Sequence, residues 1–344
     1  MAVSVRSYAK INIGLAIGPA RADGYHELCT VYQTLAIHDT VRVDVTRGSG
    51  IEIRCKDPRV PPDETNTCWR VAERVLKTLK QRGRVAITIE KQLPVQGGLG
   101  AASSNAVATL FGLERALKQE LPPEERQRIC AEVGSDLNLF LIGGTVLGTG
   151  RGEMVWPLED IAETACVVVT PAVGVSTPEA FRDWDASFGG SRYKDGERNS
   201  GLTVTGVSDR ITTFSRTAYL WLAGSMPRTL GRGSSGQAAA GVPVCNDGGR
   251  VETPLLSLVR AGIENDFERV VFPKHPELRE LKRVLEREGA SYASLSGSGS
   301  TLYGLFESEE KAQAAADRIT ASGVAAVATK TLTRQRFWEG ISGE

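Results

Sequence analysis

Histidine is scarce in this chain, with three in 344 residues. Its six cysteines (Cys29, Cys55, Cys68, Cys130, Cys166, Cys245) are scattered, without a CxxC pair or metal-ligand spacing. Together these absences argue against a His/Cys metal centre. Charge of one sign is missing as well: Lys plus Arg and Asp plus Glu stand at 41 each, so no basic field draws nucleic acid. No run of about 18 apolar residues is present to span a membrane. The opening "MAVSVRSYAKINIGLAI" lacks the basic region, apolar core and small-residue cleavage site of an exported precursor. These observations predict a cytoplasmic protein with neither nucleic acid nor membrane as a partner, whose cysteines are reduced structural thiols. What remains is ordinary for a globular chain, 41% hydrophobic and 24% charged, and long enough for two domains with cores of their own.

The most unusual stretch is "PVQGGLGAASSNA", Pro94 to Ala106. A Walker loop would need Lys after Gly100, and a Rossmann fingerprint a third glycine where Ser103 stands. Upstream, "RVAITIEKQ" places Val85, Ile87 and Ile89 on one side, the period of a half-buried strand. Downstream, Val107, Leu110, Leu113 and Leu117 follow helical spacing. A glycine loop therefore opens a helix, where backbone N–H groups with Ser103 and Ser104 beside them form an anion site. A plain strand-to-helix turn capped by Ser or Asn is the alternative. Such a cap needs one residue, not three glycines and a Ser pair.

The rest of the chain shows no internal repeat. Residues 3 to about 55 read as strands, with turns at "ARADGYH" and "TRGSG". "TNTCWRVAERVLKTLKQRG" is an amphipathic helix with Val71, Val75 and Leu79 on one face and Gly83 closing it. "PPEERQRICAEVG" reads as a further helix and "ACVVVTPAVGVS" as a buried strand. Between about 188 and 249 the composition turns Gly/Ser-rich, the signature of an insertion. Helices resume with "TPLLSLVRAGIENDFERVVF" and "HPELRELKRVLEREG". The end reads strand, glycine turn, strand ("YASLSGSGSTLYGLF"), then a helix and a last strand. This mixture is an α+β fold.

Three segments in order, "YAKINIGLAI…RADGYHEL", "PVQGGLGAASSNA" and "SLSGSGSTLYGLF", resemble the GHMP kinase superfamily. "AKIN" with "RADGYHEL", "IEKQLP", "STPEAF" and "NDFE" is similar, more narrowly, to its 4-diphosphocytidyl-2-C-methyl-D-erythritol kinase family. The likeness covers nearly the whole chain outside the insertion. It implies two domains: residues 1–160, like the second domain of a ribosomal S5 protein, and residues 161–344, ferredoxin-like and carrying the insertion. It also implies ATP-dependent phosphorylation of a small alcohol bearing a cytidine diphosphate group, at its 2-hydroxyl, in the non-mevalonate isoprenoid pathway.

By that resemblance Pro94, Val95, Gln96, Gly97, Gly98, Leu99, Gly100, Ala101, Ala102, Ser103 and Ser104 wrap the ATP triphosphate. Asn66 and Lys91 lie near the adenine, and Ser296, Gly297, Ser298 and Gly299 close over the phosphates. Mg²⁺ accompanies the triphosphate, with Ser104 as a candidate ligand. Asp136 in "GSDLNLF" and Lys10 in "YAKIN" match the family's catalytic positions: the acid accepts the hydroxyl proton and the lysine keeps it ionised. Tyr25 and Phe181 are expected to stack on the cytosine, His26 to hydrogen-bond its edge, and Asn12 and Thr177 to hold the methylerythritol end. Taken alone, Lys10 reads as a surface charge and Asp136 as a helix cap. The chain departs from the family at Leu137-Asn138, where Val-Pro is usual, and at Gln96, Ala101 and Ala102, where glycines are commoner. Two other readings stand beside this one: a homoserine- or mevalonate-type kinase, against which "RADGYHEL" and "STPEAF" argue, and a non-catalytic regulator, against which Lys10 with Asp136 argues.

Overall fold

Alternating apolar residues make two long strands of the N-terminal segment, β1 (Val3–Ala20) and β2 (His26–Thr46), paired antiparallel from Val3↔Val43 to Ala20↔His26. The turn between them carries Gly24 at φ +82°, a left-handed backbone that suits glycine. The computed structural model describes residues 2–95, 97–188 and 264–342. Gln96 and, apart from Phe188, the expected insertion lie outside the described residues.

β2 organises the first sheet. β1 runs along one edge of it; on the other, residues 40–46 pair with β4 (Arg84–Glu90) and residues 28–33 with β5 (Thr145–Gly150). β3 (Gly50–Cys55) lies parallel to β4, the crossover being α1 (Thr67–Thr78), and β6 (Met154–Pro157), an unforeseen short strand, pairs with β5. Val71, Val75 and Leu79 are buried as their spacing requires. α1 ends earlier than expected, however: Lys80 takes the left-handed turn at φ +53°, and Gly83 does not close the helix. α2 (Ala101–Leu117) follows the glycine loop and packs against β1, β2 and α1. Enclosed on these sides, it buries Asn105, Thr109 and Glu114 along with Val107, Leu110 and Leu113. α3 (Pro123–Val133) then leads through a turn into a short 3₁₀ helix, Asn138–Leu141.

The second sheet has the antiparallel order β10-β7-β9-β8, built from β7 (Ala165–Thr170), β8 (Tyr292–Leu295), β9 (Leu302–Phe306) and β10 (Ala325–Lys330). α4 (Thr177–Phe188), α5 (Glu268–Lys274) and α6 (Pro276–Arg287) come between β7 and β8, and α7 (Glu309–Ala321) between β9 and β10. This is the ferredoxin-like pattern. The "NDFE" stretch is not the middle of a continuous helix: Asn265 instead bridges to Leu15 of β1, and α5 starts at Glu268.

The two sheets share an apolar seam, with Ile11, Ile13 and Leu35 facing Cys166, Val168, Tyr303 and Leu305. A last helix, α8 (Arg334–Ser342), was not foreseen; its Phe337 and Ile341 return to the first core beside Tyr8. Burial pushes the thiols of Cys68 and Cys130 up to about 12, as expected of cysteines that fill space. Among the described residues no helix is long and apolar enough to cross a membrane.

Candidate active site

Where the sheets meet, a cavity of about 560 Å³ opens between the glycine loop, the start of α1, the β1–β2 pair and the two segments around Phe181 and Gly297. Lys10 and Asp136 face each other inside it. Lys10 is 3% exposed, because the glycine loop covers its strand: the Lys10 N–H donates to the Leu99 carbonyl at 2.9 Å. Its ammonium donates to Asn12 Oδ1 at 2.7 Å and stands 3.3 Å from Asp136 Oδ2. Asn12 in turn donates to Thr30 Oγ1 at 2.9 Å, and Thr30 to the Gly14 carbonyl at 2.7 Å. The buried cation is thus paired and hydrogen-bonded, the condition under which a charge is tolerated away from water. Asp136 caps no helix: Leu137 precedes the 3₁₀ turn without a side-chain cap bond. The carboxylate is left facing the cavity.

The glycine loop holds its shape by close approach. Gly98 (φ +83°) and Gly100 (φ +70°) occupy left-handed backbone, and a Cβ on Gly98 would stand 2.2 Å from the Ser296 carbonyl oxygen. From the second sheet, Ser296 Oγ donates to the Gly98 carbonyl at 3.0 Å and Thr301 N–H to the Gly97 carbonyl at 3.3 Å. Gly100 is the N-cap of α2 and no side chain caps it, so the cap reading of the loop does not hold. The first amides of α2 remain for an anion, which the helix dipole favours. Ser103 lines the cavity. Ser104 is set behind it, 3% exposed, where it accepts from Ser7 Oγ at 2.8 Å.

At the far end of the loop Lys91 donates to Asp39 Oδ2 at 2.5 Å. Asn66 caps α1 by accepting from Cys68 N–H at 2.9 Å, and both Asn66 and Lys91 line the cavity beside Val60, Pro61 and Ile89. The opposite end is aromatic. Tyr25, 51% exposed, lies with its ring 4.8 Å from the Arg151 guanidinium carbon. Phe181 stacks on His26 (5.2 Å, 16°) and meets the edge of Phe267 (5.0 Å). His26 Nε2 lies 2.7 Å from Asp185 Oδ1, and the hydroxyls of Thr177 and Ser298 are 2.6 Å apart.

Two family models match the chain, GHMP kinases N terminal domain over residues 66–144 and GHMP kinases C terminal over 253–325. A 4-diphosphocytidyl-2-C-methyl-D-erythritol kinase of Solibacter usitatus (strain Ellin6076) is 34% identical over 302 residues, 88% of this chain and 80% of that protein. One of Acaryochloris marina (strain MBIC 11017) is 31% identical over 92% of this chain and 91% of its own length. The chain belongs to the 4-diphosphocytidyl-2-C-methyl-D-erythritol kinase family. Among solved structures, a crystal structure of 4-(cytidine 5'-diphospho)-2C-methyl-D-erythritol kinase superposes with a TM-score of 0.67 at 25% identity, over 96% of this chain and 99% of that one. A homoserine kinase from Cytophaga hutchinsonii shares the fold, with a TM-score of 0.68 at 18% identity. The protein is therefore a small-molecule kinase of GHMP fold.

In this kinase the cavity brings together Lys10, Asp136, Asn12, Asn66, Lys91, Ser103, Tyr25, His26, Thr177, Phe181, Gly297 and Ser298, and from the loop Pro94, Val95, Gly97, Gly98, Leu99, Gly100, Ala101 and Ala102. Ser296 is buried behind the lining and clamps Gly98, and Gly299 backs onto Gly97 and Gly98. Asn138, where proline is usual, donates to the Glu153 carbonyl at 2.9 Å and so anchors the Asp136 turn by a side chain. Several contributors escape sequence reasoning. Tyr32, Thr30 and Asp39 sit in the β2 alternation and look like ordinary strand residues. Asp185 gives no local signal. Arg151, flanked by Gly150 and Gly152, carries a turn signal that could have marked it.

Proposed function

We propose that this kinase transfers the γ-phosphoryl group of ATP to the 2-hydroxyl of 4-diphosphocytidyl-2-C-methyl-D-erythritol, in the cytoplasm and within the non-mevalonate isoprenoid pathway. One observation carries the reading: the Lys10–Asp136 pair, 3.3 Å apart, lies between an uncapped helix start at one end of the cavity and an aromatic end at the other. We take the domain boundary near residue 160, between β6 and β7, which sets the phosphates at the join of the two sheets.

The residues fit a triphosphate. Backbone at Gly97, Gly98 and Gly299 leaves no room for a Cβ, and the α2 amides supply donors without a competing cap. Among the described residues no cluster of three His, Cys, Asp or Glu could hold a metal by itself. That suits Mg²⁺, which keeps its waters and binds through phosphates and one or two protein oxygens. Here the Ser103 hydroxyl, at the start of α2, lines the cavity. Ser104, the ligand expected from the motif, faces Ser7 instead. When bound, Mg²⁺ neutralises charge on the phosphates.

Asp136 accepts the proton of the substrate hydroxyl, and Lys10 stabilises the charge on the phosphoryl group in transit. Asn12 holds the Lys10 ammonium in place. Tyr25 and Phe181 supply stacking faces for a base, while His26, its Nε2 engaged by Asp185, keeps the remaining edge for hydrogen bonding. Asn66 and Lys91 border the space for the adenine. A homoserine- or mevalonate-type activity has only the shared fold in its favour, and a binding-only role leaves the pairing of buried Lys10 with Asp136 without a purpose. ATP consumption against a panel of the cytidylyl substrate, homoserine, mevalonate and galactose tests the reading. Turnover of the cytidylyl substrate alone is expected; preference for another acceptor contradicts it.

A further inference from the structure

Asp136 does not meet Lys10 alone. Its Oδ1 accepts a hydrogen bond from the phenol of Tyr32 at 3.1 Å, while Oδ2 faces the ammonium. Tyr32 is 2% exposed and sits opposite Asn12 in the β1–β2 register, so Lys10, Asn12 and Tyr32 share one face of the strand pair. The Lys10 ammonium lies 5.6 Å from the centre of the Tyr32 ring. The ring has one place to go. A Cβ on Gly148 would stand 2.4 Å from its Cε2, and one on Gly152 would stand 2.5 Å from its hydroxyl oxygen. Both positions are glycine, and the phenol fills the space they leave. Burial, reinforced by the Asp136 charge, raises the Tyr32 pKa, so the group stays a neutral donor. The other charged groups nearby are Lys10 from β1 and, from the turn after β5, Glu153, which is paired with Arg151 at 3.4 Å.

We propose that Tyr32 is a positioning residue for the base. It occupies Oδ1 of Asp136, which leaves Oδ2, beside Lys10, as the oxygen that receives the proton. In the transfer the substrate hydroxyl gives its proton to Oδ2 and its oxygen forms the new bond to phosphorus. The bond from phosphorus to the bridging oxygen breaks, leaving ADP. Tyr32 keeps its own proton throughout. No motif singles out this tyrosine, and its effect is exerted through Asp136. The proposal rests on the assignment of Asp136 as base.

The test is Tyr32→Phe, which keeps the ring and removes the donor. The wild type is assayed first on the acceptor panel, and the comparison then uses whichever acceptor it phosphorylates, so a wrong substrate assignment leaves this test intact. Expected are a fall in kcat of about 10–100-fold, the worth of a hydrogen bond to a charged group, and little change in either KM. In an Asp136→Asn background, Tyr32→Phe should change kcat by less than about threefold, since the two act as one unit. Circular dichroism and thermal unfolding check that the variant is folded. A folded Tyr32→Phe enzyme with wild-type kcat overturns the proposal. So does a rise in KM alone, which would make Tyr32 part of the substrate wall, or an equal loss in both backgrounds.

Discussion

Asp39 of β2 ties both ends of the glycine loop to one carboxylate. Its Oδ1 accepts from the N–H groups of Gln92 and Leu93 at 2.7 and 2.8 Å, just before the loop. Its Oδ2 accepts from Lys91 at 2.5 Å and from Asn105, in the first turns of α2, at 3.1 Å. Asp39 is fully buried. A loop rich in glycine has high chain entropy when free, and this hub fixes where it starts and where it ends. Asp39→Asn breaks the buried pair with Lys91 and is expected to lower stability by about 3 kcal/mol, read by denaturant unfolding. KM for ATP should rise well above that for the alcohol substrate. An unchanged KM for ATP in the folded variant would show that the hub is structural only.

Gly98 is the second lever on the loop. Its φ of +83° disfavours any side chain, and a Cβ would meet the Ser296 carbonyl at 2.2 Å. Gly98→Ala should push the Ser296–Ser300 turn away and weaken ATP binding, with a larger rise in KM for ATP than loss of thermal stability. Wild-type affinity by isothermal titration would show that the turn closes independently of the loop.

The aromatic end separates recognition from stability. Tyr25 is half exposed, so Tyr25→Ala should leave unfolding within about 0.5 kcal/mol of wild type while raising KM for the cytidylyl substrate. Phe181 packs on His26 and Phe267, so Phe181→Ala should cost both affinity and stability. Loss of a base-stacking face is worth about 1–3 kcal/mol. Equal activity of the wild type on free methylerythritol and on its cytidylyl conjugate would contradict base recognition.

Much of this was legible in the chain. The strand–loop–helix reading of residues 84–117 stands, because periodicity and glycine spacing are local properties. Lys10 was not legible locally: it reads as a surface charge until the Leu99 carbonyl bonds to its strand and the glycine loop covers it. Tyr32 and Asp39 look like strand residues because their partners come from distant segments, Asp136 and Lys91. Lys80 replaces Gly83 at the end of α1 because the hydrogen bonds that close the helix are already complete there: Leu79, Lys80 and Gln81 donate back to Val75, Lys77 and Leu76. α8 is short, and its docking depends on a core built from the other end of the chain.

The central claim is that Asp136 is the base and Lys10 its cation, and steady-state kinetics of Asp136→Asn tests it most directly. The substitution keeps shape and removes the proton acceptor, so kcat should fall by about 10²–10⁴ with little change in either KM. Lys10→Met should also lower kcat, and the double variant should lose far less than the product of the two single losses. If Asp136→Asn turns over at close to the wild-type rate, Asp136 is not the base, and positioning with electrostatics alone carries the transfer.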